Sequence, residues 1–358
     1  MNTISDWKEN AQSIALPEDR HFARARKRLD SLTKPLGSLG ELESIAAQVL
    51  AIRAGSAQLP LKKGVYVFAA DHGVTQAGVS AYPKEVTAQM VLNFLRGGAA
   101  INVLSRLHHA ELTVIDVGVD AEFADAPGLY PAKVRRASRN MLREAAMTQE
   151  ELAAALQVGV DLSEFAHRKG HHLIAVGEMG IGNTTAASAI TSLLTGQAVA
   201  NVTGRGAGLD ETGRNRKLNV IRKSLRLHFP EPTLPADPIE VLRRVGGLEI
   251  AAMTGFILGA ARQGIAILCD GFISTSAAAL AFAIAPNVKS YLLAGHRSQE
   301  PGHHHLLRYL GLRPILNLDM RLGEGTGAVL AMPIIEAALR LYSEMATFAS
   351  AGVSEAEA

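Results

Sequence analysis

Six short apolar runs punctuate this 358-residue chain, and each stops at a glycine or an acidic residue. They cover residues 65–70, 112–118, 173–176, 265–269, 290–294 and 314–318. Asp71-His72-Gly73 follows the first, Gly177-Glu178 the third, Asp270-Gly271 the fourth, Gly295-His296 the fifth and Asp319 the sixth; the second closes on Asp116-Val117-Gly118. Apolar runs this short, bounded by breakers and separated by helical stretches, are the pattern of parallel βαβ units with right-handed crossovers. The expected fold is therefore α/β: a parallel, Rossmann-like sheet of about six strands flanked by helices. Such sheets bind ligands beyond the C-terminal ends of their strands, and polar residues gather there in this chain.

The stretches between the runs read as helices. Residues 21–32 form a surface helix, and Ser38 with Glu41 makes a capping box for a helix that reaches Arg53. A helix near residues 84–106 joins the first two strands, and an irregular excursion from 120 to 140 carries Arg135, Arg136 and Arg139. Thr148 and Glu151 cap a helix running to His167 and closed by Gly170; Asp237-Pro238 starts another. The Ala- and Gly-rich helices from Ala251 and Ser274 are too apolar to face water on any side. Residues 353–358 read as a frayed tail.

Bulk properties exclude several classes. A net charge of +2, from 36 basic and 34 acidic residues, gives no reason for a nucleic-acid partner. The single cysteine, Cys269, rules out an internal disulfide framework. Residues 1–19 contain no apolar core of a signal peptide. The most apolar region, 250–286, is interrupted by Arg262, Gln263 and Asp270, so its pieces fall short of the roughly 20 residues of a membrane span. A cytoplasmic protein with no membrane span is expected.

Chemistry concentrates in four stretches. Residues 177–185, Gly-Glu-Met-Gly-Ile-Gly-Asn-Thr-Thr, pass from a strand into a helix and present bare backbone N–H groups to an anion. They lack the Gly-Lys-Ser/Thr of a Walker loop and the spacing of a dinucleotide fingerprint. Glu178, beside a phosphate cradle, suits a sugar hydroxyl or a cationic ring. A second glycine loop, 201–210, precedes a helix with Arg214, Arg216 and Lys217, which reads either as a solvated basic face or as the other half of a phosphate clamp. Residues 295–305 end in His303-His304-His305; consecutive histidines on a helix cannot all face one ion, so Ser298 as a phosphate donor fits better than a metal site. Glu324 lies between Gly323 and Gly325 just before a helix. It reads as an acid favouring the helix dipole or as a general base whose pKa is raised by partial burial. Asp71 reads better as a turn cap, while Asp270, in a very apolar setting, needs a partner or a ligand.

These motifs occur in a recognisable order. Thr33-Lys34-Pro35-Leu36-Gly37-Ser38-Leu39-Gly40-Glu41-Leu42-Glu43, Ala70-Asp71-His72-Gly73-Val74, residues 177–185, Asp270-Gly271-Phe272 and Arg321-Leu322-Gly323-Glu324-Gly325-Thr326-Gly327-Ala328 together resemble the nicotinate-nucleotide:dimethylbenzimidazole phosphoribosyltransferase family of cobalamin lower-ligand assembly. The resemblance runs from about residue 33 to 338. It implies a large α/β domain (61–327) and a small helical domain built from both ends (1–60 and about 328–358), acting as a homodimer without a cofactor or metal. It also implies transfer of phosphoribose from nicotinate mononucleotide to 5,6-dimethylbenzimidazole, giving α-ribazole 5′-phosphate and nicotinate by one inverting displacement. The leaving pyridine is already cationic, so one base is enough. By position, Glu324 matches that base, and Glu178 and Asp270 match acids of the same site. Gly180, Asn183, Thr184, Gly206, Lys217 and Ser298 fall where the family holds the phosphate, and Tyr82 and Met90 where it holds the benzimidazole. Gly177, Gly204, Leu322 and Gly323 complete the expected substrate-binding set. The rivals are a transferase using pyrophosphorylated ribose, disfavoured because no acidic pair precedes a phosphate loop, and a non-catalytic nucleotide-binding regulator, which has no need of Glu324.

Overall fold

A computed structural model describes residues 13–123, 126–231 and 236–354. Among them seven strands, not six, lie parallel in one sheet of order β3-β2-β1-β4-β5-β6-β7. They are β1 (Lys63–Ala70), β2 (Ala110–Gly118), β3 (Leu129–Pro131), β4 (Leu173–Met179), β5 (Ala266–Cys269), β6 (Leu292–His296) and β7 (Pro314–Leu316). The unforeseen strand is β3, inside the stretch expected to be irregular. It pairs with β2 from Val114↔Leu129 to Asp116↔Pro131 and lies at the sheet edge, the one place where a strand tolerates a proline. All eight residues of β1 are buried, which is why its sequence runs apolar without alternation. The strand order reverses between β1 and β4, and this opens a crevice at their C-terminal ends. Their register, Phe68↔Glu178, brings Asp71 and Glu178 out at the same edge.

The helices are α1 (Asp19–Asp30), α2 (Glu41–Ile52), α3 (Val86–Leu95), α4 (Ala100–Leu107), α5 (Gln149–Arg168), α6 (Asn183–Thr195), α7 (Val199–Val202), α8 (Glu211–His228), α9 (Pro238–Val245), α10 (Leu248–Arg262), α11 (Phe272–Ile284), α12 (Pro301–Leu310), α13 (Thr326–Glu344) and α14 (Phe348–Ala351). The single helix expected over 84–106 is instead two, broken at Gly97-Gly98. Asn102 stitches the break: its Oδ1 accepts from Ala99 N at 3.1 Å and its Nδ2 donates to Phe94 O at 2.9 Å. The expected Ser38–Glu41 box does not form either. Gly40, at φ +57°, occupies the N-cap of α2, and buried Glu43 accepts from Leu39 N while pairing with Lys34 Nζ at 2.8 Å. The caps at Thr148 and Asp237 form as expected.

The core sits between the sheet and its flanking helices. α10 and α11 are buried along almost their whole length, as their composition required. α10 lies against β1 through Phe256, whose ring is 4.6 Å from Tyr66 and 5.3 Å from Phe68. α5 and α10 cross so closely that a Cβ on Gly159 or Gly255 would overlap the other helix's backbone. The helix α1 region packs against the end of α13 and the residues just after it: Arg28 donates to Tyr342 O at 2.7 Å, and Leu32 bridges Thr347. No helix among the described residues is long and apolar enough to cross a membrane. The segment before Ser13 and the tail beyond Ser354 lie outside the described residues.

Candidate active site

Three strand exits converge at the crevice because glycines let their backbones touch. A Cβ on Gly177, in β4, would stand 2.5 Å from Glu324 O, and one on Gly180 would overlap Ala70 O at the end of β1. The loop after β7 is thereby pressed against β4. Beyond Gly180 the chain turns through Gly182 at φ +97° into α6, whose first turn receives no side-chain cap and is left open for an anion.

Glu324 occupies the strained centre of this packing. Its φ is +63°, between Gly323 at +88° and Gly325 at +92°, a backbone region that costs a non-glycine residue about 1–3 kcal/mol. Asp270 holds the strained turn in place. One of its oxygens accepts from Gly325 N at 3.1 Å and the other from Ala328 N at 2.9 Å, so it caps α13 from outside the helix. The partner that Asp270 required is therefore backbone. The Glu324 carboxylate accepts from Ile101 N, in the first turn of α4, at 3.2 Å. Burial pushes its pKa up, with the Asp270 charge adding to the effect, while the bond from Ile101 opposes it. A buried carboxylate resting on a helix N-terminus stays ionisable yet basic, as proton abstraction requires.

Glu178 is the second acid. Asn183 Nδ2 donates to its Oε2, and Oε1 abuts Gly323, where an added Cβ would overlap it and force the carboxylate to shift. Burial, then repulsion from Asp270 and Glu249, pushes it up to about 8. The fold thus binds a proton here that the unfolded chain releases from about 4.5 upward. The sign follows: Glu178 costs stability as pH rises from about 4.5 towards 8. In unliganded protein, Tm should therefore fall less steeply across that window in Glu178→Gln than in the parent. Equal slopes by calorimetry would show that Glu178 is ionised in the fold.

The opposite end of the crevice is cationic. Lys217 is fully buried, which favours the clamp over the solvated basic face as the reading of its helix α8, and its Nζ donates to Thr184 Oγ1 at 2.7 Å. Burial pushes its ammonium down to about 8, with Glu300 opposing. Gly206, at φ +54°, lays backbone beside Thr184 and Lys217. Arg321 reaches across the mouth to Gly206 O at 3.3 Å.

Between these ends lies a cavity of about 430 Å³. Of the residues expected from sequence, Glu324, Glu178, Gly180, Asn183, Thr184, Gly206, Ser298, Tyr82, Met90, Leu322 and Gly323 line it. Four stand just behind the wall: Gly177 against Glu324, Asp270 under α13, Gly204 against Glu300, and Lys217 behind Thr184. The structure adds His296, Glu300 and Arg321, together with apolar Val86, Met179, Ile181, Phe272 and Ile273. His296 Nε2 is 3.7 Å from Asp270 Oδ1. His296 and Glu300 belong to the polar exit of β6 and were visible there as a group; Met179, Ile181, Phe272 and Arg321 lie within the quoted motifs without having been singled out, and only Val86 and Ile273 look like ordinary core in the sequence. Against expectation, Asp71 does not cap the turn that follows β1; it accepts from Asp120 N, beyond the exit of β2, at 2.8 Å and so ties two strand exits together. His72 is paired with Glu249 at 2.6 Å behind the site. Among the described residues no group of three or more His, Cys, Asp or Glu side chains is placed to hold a metal ion. An anion-binding end, buried carboxylates in the middle and an apolar slot suit a molecule with a phosphate, a cationic centre and a flat ring.

A family model described as a phosphoribosyltransferase matches residues 14–353. A Geobacter sulfurreducens protein named nicotinate-nucleotide–dimethylbenzimidazole phosphoribosyltransferase is 52% identical over 348 residues, covering 97% of this chain and 98% of its own. A protein of the same name from Chloroflexus aggregans is 49% identical over 338 residues, covering 94% and 95%. The crystal structure of the Thermus thermophilus protein of that name superposes with a TM-score of 0.88 at 47% identity, over 95% of this chain and 100% of that one.

Proposed function

This chain belongs to the nicotinate-nucleotide–dimethylbenzimidazole phosphoribosyltransferase family, and from that premise we propose how its crevice carries out the reaction. The enzyme transfers the phosphoribosyl group of nicotinate mononucleotide to 5,6-dimethylbenzimidazole, giving α-ribazole 5′-phosphate and nicotinate for the nucleotide loop of cobalamin. The phosphate sits at the cationic end, on the open first turn of α6, Thr184, Gly206 and Ser298, with Lys217 behind them. Gly177 and Gly204 act by letting Glu324 and Glu300 come close, not by touching substrate. The benzimidazole lies flat in the apolar slot, between Tyr82, Met90 and Leu322.

Glu324 takes the ring N–H proton while the other ring nitrogen attacks C1′. As that C–N bond forms, the bond from C1′ to the pyridinium breaks and its electron pair returns to the departing nicotinate nitrogen. Attack from the face opposite the leaving group converts a β-nucleotide into an α-ribazole in one step. Glu178, largely neutral near pH 7, offers its free oxygen to a ribose hydroxyl. Asp270 acts through its field on the cationic C1′ and through its hold on the Glu324 turn. In the same reading, residues 1–60 and about 328–358 form a smaller helical domain on the 61–327 α/β domain, supported by the contacts of Arg28 with Tyr342 and of Leu32 with Thr347. The active unit is a homodimer working in the cytoplasm.

The observation that carries this mechanism is Glu324: ionisable, buried at the cavity wall, and held in a backbone conformation that only the surrounding contacts stabilise. The test incubates purified protein with nicotinate mononucleotide and 5,6-dimethylbenzimidazole and follows nicotinate chromatographically. Base-dependent release with an α-configured product supports the reading. Tight nucleotide binding with no release, for this base and for adenine alike, would leave a nucleotide-binding regulator.

A further inference from the structure

The first half of α12 carries His303, His304 and His305, and only the first of them is fully buried. His304 is exposed and pairs with Arg308 at 2.8 Å. His303 Nδ1 lies 2.9 Å from Ser298 N, and its Nε2 lies 3.0 Å from Thr275 Oγ1. A backbone N–H can only donate, so Nδ1 must be the acceptor, and the ring hydrogen then resides on Nε2 and is donated to Thr275. Burial pushes the ring down to about 3, so this neutral form persists at any working pH. The geometry is rigid on both sides. Thr275 is itself buried within α11, and a Cβ on Gly302 would overlap the Phe272 ring, which pins the start of α12. At the other end Ser298 Oγ accepts from Glu300 N at 3.3 Å, so its own hydroxyl hydrogen remains available to the cavity it lines.

We propose that His303 is a positioning residue for the substrate phosphate: it fixes the turn after β6 so that the Ser298 hydroxyl meets the phosphate. The proposal rests on the assignment of Ser298 to the phosphate end of the crevice. It gives the histidine run a function that involves no metal ion, and it puts part of the affinity for the nucleotide on a side chain that does not touch it.

Four variants test it by steady-state kinetics in both substrates. His303→Leu keeps the bulk and removes the acceptor; KM for nicotinate mononucleotide should rise roughly tenfold, with KM for the benzimidazole and kcat within about twofold of the parent. His303→Asn places an amide oxygen where Nδ1 was and should recover most of that loss. His303→Gln places its amide where Nε2 was and should behave like the leucine variant, so Asn against Gln decides the matter if His303→Leu does not fold. Ser298→Ala should raise the same KM to a similar extent. An unchanged KM in Ser298→Ala removes the phosphate role of Ser298. A raised KM there with a parental KM in both His303→Leu and His303→Gln overturns the relay alone. Asn no better than Gln, or kcat falling while the nucleotide KM holds, also overturns it, because His303 would then be ordinary core.

Discussion

Glu324→Gln should lower kcat by about a thousandfold, the middle of the range that a positioned general base contributes, with nucleotide affinity close to that of the parent. Glutamine keeps the shape and still accepts from Ile101 N, so the strained turn should survive. The proton of the benzimidazole N–H, however, would have nowhere to go. Titration calorimetry with nicotinate mononucleotide separates binding from turnover, and a loss of both together would assign Glu324 to the architecture. The pH profile provides a second reading. Because burial raises the pKa of Glu324, it becomes protonated at a higher pH than an ordinary glutamate, so the acid limb of kcat/KM should lie above 4.5. A profile flat down to about pH 4 would remove the base from the mechanism.

Gly177→Ala should cost about a hundredfold in kcat without touching any substrate. The added methyl would stand 2.5 Å from Glu324 O, 2.6 Å from its carbonyl carbon and 2.8 Å from Gly325 N. All three are backbone atoms, so no side chain can swing aside, and the Glu324 turn must retreat. A retreat of about 1 Å in a reacting group is enough for a loss of this order. The same displacement stretches the bond from Gly325 N to Asp270, so a fall in stability of about 1–3 kcal/mol should accompany it. The nucleotide KM should change little, because the phosphate contacts lie at the far end of the crevice. A variant with parental kcat would show that the loop after β7 has slack that the packing does not reveal.

The sequence made some parts of this molecule legible and concealed others, for identifiable physical reasons. Strand exits were readable because a parallel strand buried on both faces must be apolar throughout and must then stop abruptly. Glu324 was readable because an acid between two glycines satisfies neither core nor helix. β3 was not: three residues ending in proline leave no periodicity to detect. The break between α3 and α4 turns on how Asn102 bonds to both sides of a glycine pair, which is a tertiary fact. Lys217 was singled out by the resemblance alone, since no pattern within its basic helix says which of its cations turns inward. Asp270 was correctly marked as needing a partner, but that the partner would be the first turn of α13 could not be seen 55 residues away in the chain. His303 was hidden by its neighbours, since three identical side chains in a row point in three directions on a helix.

α13 starts at the Glu324 turn and ends against α1, where Arg28 bonds Tyr342 O. Its 19 residues make a rod about 28 Å long, with Pro333 removing one bond from its ladder. A helix resists stretching along its hydrogen bonds, so a displacement of the far end along the axis is felt at the base, less what bending at Pro333 takes up. For anyone attaching this protein to a surface or fusing it to another chain, the two flanks of the molecule are therefore unequal. A tether at the β3 edge of the sheet should leave the reaction rate alone. A rigid tether just beyond α13 would act as a brake on it.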